Sequence, residues 1–170
     1  MEHNSISSGL IAQFNLRVYE ESIPRIIKVL RILPDDKIWY APNEQANSIG
    51  HLILHLVGNV TQWIGSGIGN REDNRKRSLE FTSENQFSRK DLETKLWQLK
   101  SLTDQSFIFL KDDDLLENRK VQGFDESVLS IIIHVIEHFS YHTGQIAIIA
   151  KYLTGADLGF YEGLDLSVTT

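Results

Sequence analysis

The chain contains no cysteine. Disulfides and thiolate metal ligands are thereby excluded, so any bound metal must take nitrogen or oxygen ligands. A reducing cytoplasm is compatible with that composition. No apolar run approaches the roughly 20 residues of a membrane span. Met1 to Gln13 also lacks the basic start and apolar core of a signal peptide. The expectation is a cytoplasmic protein without a membrane partner. A basic surface is missing too. The net charge is −6, and binding the phosphate backbone needs positive charge, so nucleic acid is not an expected partner. The one local basic cluster, Arg71, Arg75, Lys76 and Arg77, is mixed with Glu72, Asp73 and Glu80 and reads as a solvated charged loop. Two motifs fail on inspection. Gly65-Ser66-Gly67-Ile68-Gly69-Asn70 has no following lysine and comes after a helical pattern, so it is not a phosphate loop. Asp112-Asp113-Asp114 lacks the alternation, central glycine and closing glutamate of a calcium loop. No internal repeat, low-complexity segment or strong strand signal is present.

What is there is a helical pattern repeated four times. The 170 residues are most simply one domain, 1–170. The first helix is expected over about 7–33, with Leu10, Phe14, Val18, Ile23, Ile27 and Leu30 at helical spacing. Pro24 lies inside it, so a kink or break is expected near Ser22. A connector with Trp39, Tyr40 and Pro42 leads to a second helix, capped by Asn47 or Ser48 and running to about Ile64. Gly58 in its middle suggests close packing against another helix, or a tolerated flaw. A polar stretch follows to about Phe87, long enough to be a crossover between helices that are not simple antiparallel neighbours. Ser88 with Asp91 resembles a capping box for a third helix reaching about Lys111, with Ile108 and Leu110 among its apolar positions. Val121 to Phe124 reads as a short extended piece. The fourth helix starts at Asp125 or Ser127 and stops at Thr154-Gly155. In the irregular tail, Phe160 and Tyr161 are candidate anchors. Four such helices predict an all-α four-helix bundle, a fold that commonly builds metal sites from inward side chains of facing helices.

Five of the six histidines fall in two helical stretches, His51 and His55, and His134, His138 and His142. A step of four residues puts side chains on one helix face about 5–6 Å apart. Two imidazoles so placed can close on one ion, because each Zn–N bond is only about 2.0–2.1 Å. One histidine of the second helix and two of the fourth would give three protein ligands. That leaves a position open for water or substrate, the arrangement of catalytic rather than structural zinc. Spacing does not choose between 134/138 and 138/142, nor between 51 and 55. A bis-histidine haem would leave the other histidines unexplained. Glu137, Tyr141 and Gln145 lie near enough to serve beside a metal, and equally well as ordinary helix residues. Trp63 reads as core, and His3 carries no weight.

Ser48-Ile-Gly-His-Leu-Ile-Leu-His-Leu-Val-Gly-Asn59, followed much later by His134-Val-Ile-Glu-His-Phe-Ser-Tyr-His-Thr-Gly-Gln-Ile146, resembles the DinB-like (YfiT-like) metal-binding superfamily. The likeness covers nearly the whole chain, including the crossover 67–81 and the ending 151–161, and points to an uncharacterised bacterial subfamily. The resemblance implies an up-down-down-up bundle with a long crossover between helices 2 and 3, acting as a homodimer. It further implies a divalent metal, zinc or nickel, held by His55, His138 and His142, with His51 and His134 one turn earlier as extras. Thr143 stands where relatives often carry arginine. The implied activity is thiol S-transfer to a small electrophile, using a low-molecular-weight thiol. A metal-water hydrolase and a non-catalytic metal-binding stress-response protein stand as alternatives.

Overall fold

The computed structural model describes residues 5–82 and 87–169. His3, and residues 83–86 of the expected crossover, lie outside them. Four helical rods pack into a bundle around an apolar core.

The first rod is α1 (Ile6–Asn15), a π-helical turn (Leu16–Ser22) and α2 (Ile23–Ile32), running end to end. The expected disturbance near Ser22 is therefore present, but as a widened turn rather than a break. Proline has no amide proton to give the carbonyl four residues back. Here the helix widens just before Pro24, and the Ile23 amide reaches back five residues to the Val18 carbonyl. At the start of the rod, the Ser5 side chain accepts the Ser8 amide. Asp112 of the acidic run takes the amides of Ile6 (3.2 Å) and Ser7 (2.8 Å).

The second rod is α3 (Ile49–Val60), continued by a π-helical turn (Thr61–Ser66). Ser48 is its cap, accepting the His51 amide at 3.1 Å. The crossover then descends to a short 3-10 turn at Arg77–Phe81. The third rod, α4 (Arg89–Phe107), opens on the expected capping box of Ser88 and Asp91. It stops at Phe107, short of Lys111. The Leu110 amide turns back to the Phe107 carbonyl (3.0 Å), and this turn carries Asp112 to the start of α1. Ile108, expected on the apolar face, is accordingly 69% exposed. The extended piece is a hairpin of β1 (Asn118–Val121) and β2 (Phe124–Ser127), with Val121 opposite Phe124. Its two turn residues, Gln122 (φ 52°) and Gly123 (φ 85°), are both left-handed, as a type I′ turn requires. Ser127, rather than Asp125, caps the fourth rod, α5 (Val128–Thr154).

Ile53 and Leu56 of α3, Leu92 and Leu96 of α4, and Ile131, Val135 and Phe139 of α5 are buried together with Phe14 and Leu30 of the first rod. Each such side chain contributes about 1.5–3 kcal/mol on burial, and this packing is what holds α3 against α5 at the histidines. The tail is anchored as expected. Leu158 is buried, the Lys28 ammonium donates to the Gly159 carbonyl (2.9 Å), and the Arg25 guanidinium lies 5.7 Å and 5.3 Å from the ring centres of Phe160 and Tyr161. Among the described residues, no helix is long and apolar enough to cross a membrane.

Candidate metal centre

Of the alternatives that spacing leaves open, the fold brings together His55 of α3 and His138 and His142 of α5. Their candidate ligand nitrogens all lie within 4.8 Å of one another. Ring centres are 4.9 Å apart for His55–His138, 5.0 Å for His55–His142 and 4.5 Å for His138–His142. The Nε2 atoms of His55 and His138 face each other at 2.9 Å. His142 Nδ1 lies 2.7 Å from Gln145 Oε1, an acceptor, so it donates there and leaves Nε2 bare. His55 Nδ1 lies 2.8 Å from Glu80 Oε2.

Burial disfavours the charged form at two of the three rings. Burial, then the nearby His142, His55 and His134, push the His138 imidazole down to about 3. Burial also lowers His142, against the hydrogen bond to Gln145. A transition metal takes the neutral imidazole through its lone-pair nitrogen, the form that burial favours at His138 and His142. Three nitrogens and no thiolate fit zinc, nickel, copper or iron. Among the described residues no other trio of histidine and acidic side chains is so arranged.

The remaining histidines have other duties. His51 closes the capping box of α3, its Nδ1 accepting the Ser48 amide at 3.5 Å. Its ring sits against Trp39 and Phe81. His134 stacks on Trp63, with centres 3.8 Å apart and planes at 22°, and faces the Asn59 amide at 3.4 Å. Trp63 is core, as expected, at 5% exposure, but it is also wall. Together with His55, His134, His138, Asn59, Phe124 and Glu126, it lines a cavity of about 370 Å³ beside the trio. The hairpin closes one side of that cavity through the Trp63 Nε1–Gln122 Oε1 bond (2.9 Å). Of the three motif neighbours, Gln145 touches the trio. Tyr141 stands edge-on to His142 at 5.0 Å but is 63% exposed. Glu137 is exposed and lines a different groove, with Arg17, Arg25 and Tyr141.

The charged loop is the chief correction. Arg75 and Glu80 are not solvated: their side chains are 5% and 10% exposed. Arg75 Nε and Nη2 donate to the two Glu80 oxygens at 2.6 Å and 2.9 Å, and Nη1 donates to Gln62 Oε1 at 2.8 Å. Burial pushes the Glu80 carboxyl up, but the hydrogen bonds from Arg75 and His55 outweigh it, and the group ends below its ordinary value. Gly58 belongs to this arrangement and not to a helix–helix contact. A Cβ there would lie 2.1 Å from Glu80 Oε1 and 2.9 Å from Arg75 Nε. Arg75 and Glu80 were missed because no periodicity marks them. They lie 20 and 25 residues from His55, inside a run of similar charges.

These features define a four-helix bundle of DinB-like fold with a buried trio of histidines. The fold is shared with a DinB-like protein from Bacillus cereus ATCC 10987 (TM-score 0.66, 17% identity, 87% of this chain and 95% of that one). It is shared as well with a DinB-like protein from Bacillus subtilis (TM-score 0.62, 15% identity, 88% and 93%). No curated protein matches the sequence. Residues 11–162 match the family model described as "Protein of unknown function (DUF1572)", and the chain belongs to that family.

Proposed function

We propose that the protein is a divalent-metal enzyme of the thiol S-transferase type, acting on small electrophiles. The observation that carries this reading is the convergence of three histidine ring nitrogens beside a cavity of about 370 Å³, a size within the usual range for small-molecule sites. His55, His138 and His142 would hold the ion, zinc or nickel by the chemistry of the donor set. Three protein ligands leave room for a further one. The metal would supply stabilisation of the thiol in its deprotonated form. The protein's own part is to bind and orient. Trp63 and Phe124 offer aromatic surface to the electrophile, and Arg77 at the cavity wall favours an anionic sulfur. The thiol sulfur forms a bond to the electrophilic carbon. The bond to the leaving group breaks with its electron pair, and the thiol proton leaves with that group or to solvent.

Hydrolysis by metal-activated water is the second reading. Glu126, in the same cavity wall, favours it as a base; the exposed Glu137 does not. We read the chain as one domain acting in the cytoplasm as a homodimer. The dimer reading rests on the exposed stripe Ile133, Tyr141, Ile148 and Tyr152 along α5, an apolar face of the kind that a second copy covers.

The test incubates zinc- or nickel-loaded protein with a panel of low-molecular-weight thiols and a chromogenic aryl halide. The expected result is product formation that requires thiol and is lost in His138→Ala. Turnover of ester substrates without thiol would select hydrolysis. Metal bound at one per chain with no turnover of either kind would select the non-catalytic reading.

A further inference from the structure

The crossover contributes no metal-ligand candidate, yet it places two buried charges against one. We propose that Glu80 and Arg75 are the positioning residues of the centre: Glu80 accepts the Nδ1 proton of His55 and so fixes the His55 lone pair on Nε2, toward His138 and His142, while Arg75 holds the Glu80 carboxylate in place. This rests on the metal-binding reading above and deepens it.

The geometry favours the His55 tautomer with its proton on Nδ1. Glu80 Oε2 is 2.8 Å from Nδ1, and an ionised carboxylate only accepts. A bare Nδ1 would set a lone pair against that oxygen. Arg75 Nη2 lies 3.1 Å from the same nitrogen and, as a guanidinium only donates, it competes for a bare Nδ1; the shorter contact, to the Glu80 carboxylate, places the proton on Nδ1. The metal-facing nitrogen, 2.9 Å from His138 Nε2, is then bare. A carboxylate behind a ligating histidine orients the ring and raises its basicity, and loss of such a partner typically costs 10–100-fold in metal affinity.

The glycine at 58 supports the same assignment independently. It sits mid-helix, where alanine would be the better helix former. The Glu80 carboxylate occupies the space that a Cβ would take, 2.1 Å from it. The Arg75 fork, bonded to both Glu80 oxygens and to Gln62, fixes that carboxylate from the far side.

Two variants test the role, Glu80→Gln and Gly58→Ala. The first retains the shape and removes the charge. The second retains both charges and pushes the carboxylate off His55. Melting curves establish that each is folded; Gly58→Ala serves if Glu80→Gln is not, because it strands no charge. Zinc affinity is measured by chelator competition. The His55 tautomer is read in metal-free protein from long-range proton–nitrogen NMR of labelled histidine. The expected results are an Nδ1 proton on His55 in the wild type, its loss or mixing in both variants, and zinc binding weakened 10–100-fold. A proton on His55 Nε2 in the wild type, or folded variants with unchanged tautomer and affinity, would overturn the proposal. Wild-type protein that binds no zinc would instead overturn the metal reading. The metal-free tautomer would then still decide whether Glu80 sets the His55 ring.

Discussion

His51 and His55 stand one turn apart on α3, and the fold separates them by what each ring nitrogen meets. His51 Nδ1 turns back to the Ser48 amide and its ring is walled by Trp39 and Phe81, so it serves the start of the helix. His55 faces α5. Replacing His51 with alanine should therefore leave metal content unchanged. It should cost about 1 kcal/mol through the cap, a loss of roughly 2–4 °C in melting temperature for a chain of this size. Metal content and melting measured side by side check this; loss of metal in that variant would return His51 to the ligand set. At this scale the sequence was informative about kind and not about choice. Repeats of four residues put histidines on common faces, but only the family likeness pointed to His55, His138 and His142, and the structure brings those three together. Arg75 and Glu80 were illegible for a physical reason. A charge that folds inward and a charge that stays in water look alike in a segment without periodicity, as Arg75 does beside Lys76 and Arg77.

Helices were legible as elements because each buries one face, and caps such as Ser48, Ser88 and Ser127 mark where three of them begin. The widened turns were not. Pro24 announces a disturbance, but whether the chain kinks, breaks or takes an extra residue into the turn depends on how the first rod packs against α4 and α5. The end of α4 was overread because Ile108 and Leu110 continue its spacing, although the chain turns at Leu110. Asp112 gives that turn a measurable consequence. The Ser7 amide, with Ser7 and Ser5 hydroxyls and the Ile6 amide, holds its carboxyl below the ordinary 3.8. The unfolded chain takes up the proton first as pH falls. The stabilisation is therefore full above about 3.8 and lost as pH drops through the lower native value. Asp112→Ala should melt earlier than wild type at neutral pH, and the difference should shrink toward zero in strong acid. A difference independent of pH would contradict the role assigned to the carboxylate.

At the scale of the whole molecule, the core and the centre are made by the same contact. Phe139 and Val135 of α5 share one buried core with Ile53 and Leu56 of α3, and the same two helices present His138, His142 and His55. The crossover closes over the back of His55 and the hairpin closes the side of the cavity, so every rod connection near the site has a part in it. The measurement that tests this account most directly is metal content by elemental mass spectrometry on the full chain. Wild type is compared with His55→Ala, His138→Ala and His142→Ala after exposure to zinc or nickel. The account predicts about one metal per chain in the wild type and loss in each variant, with melting curves showing that the variants remain folded. No metal in the wild type after reconstitution, or full retention in folded His55→Ala, would contradict it.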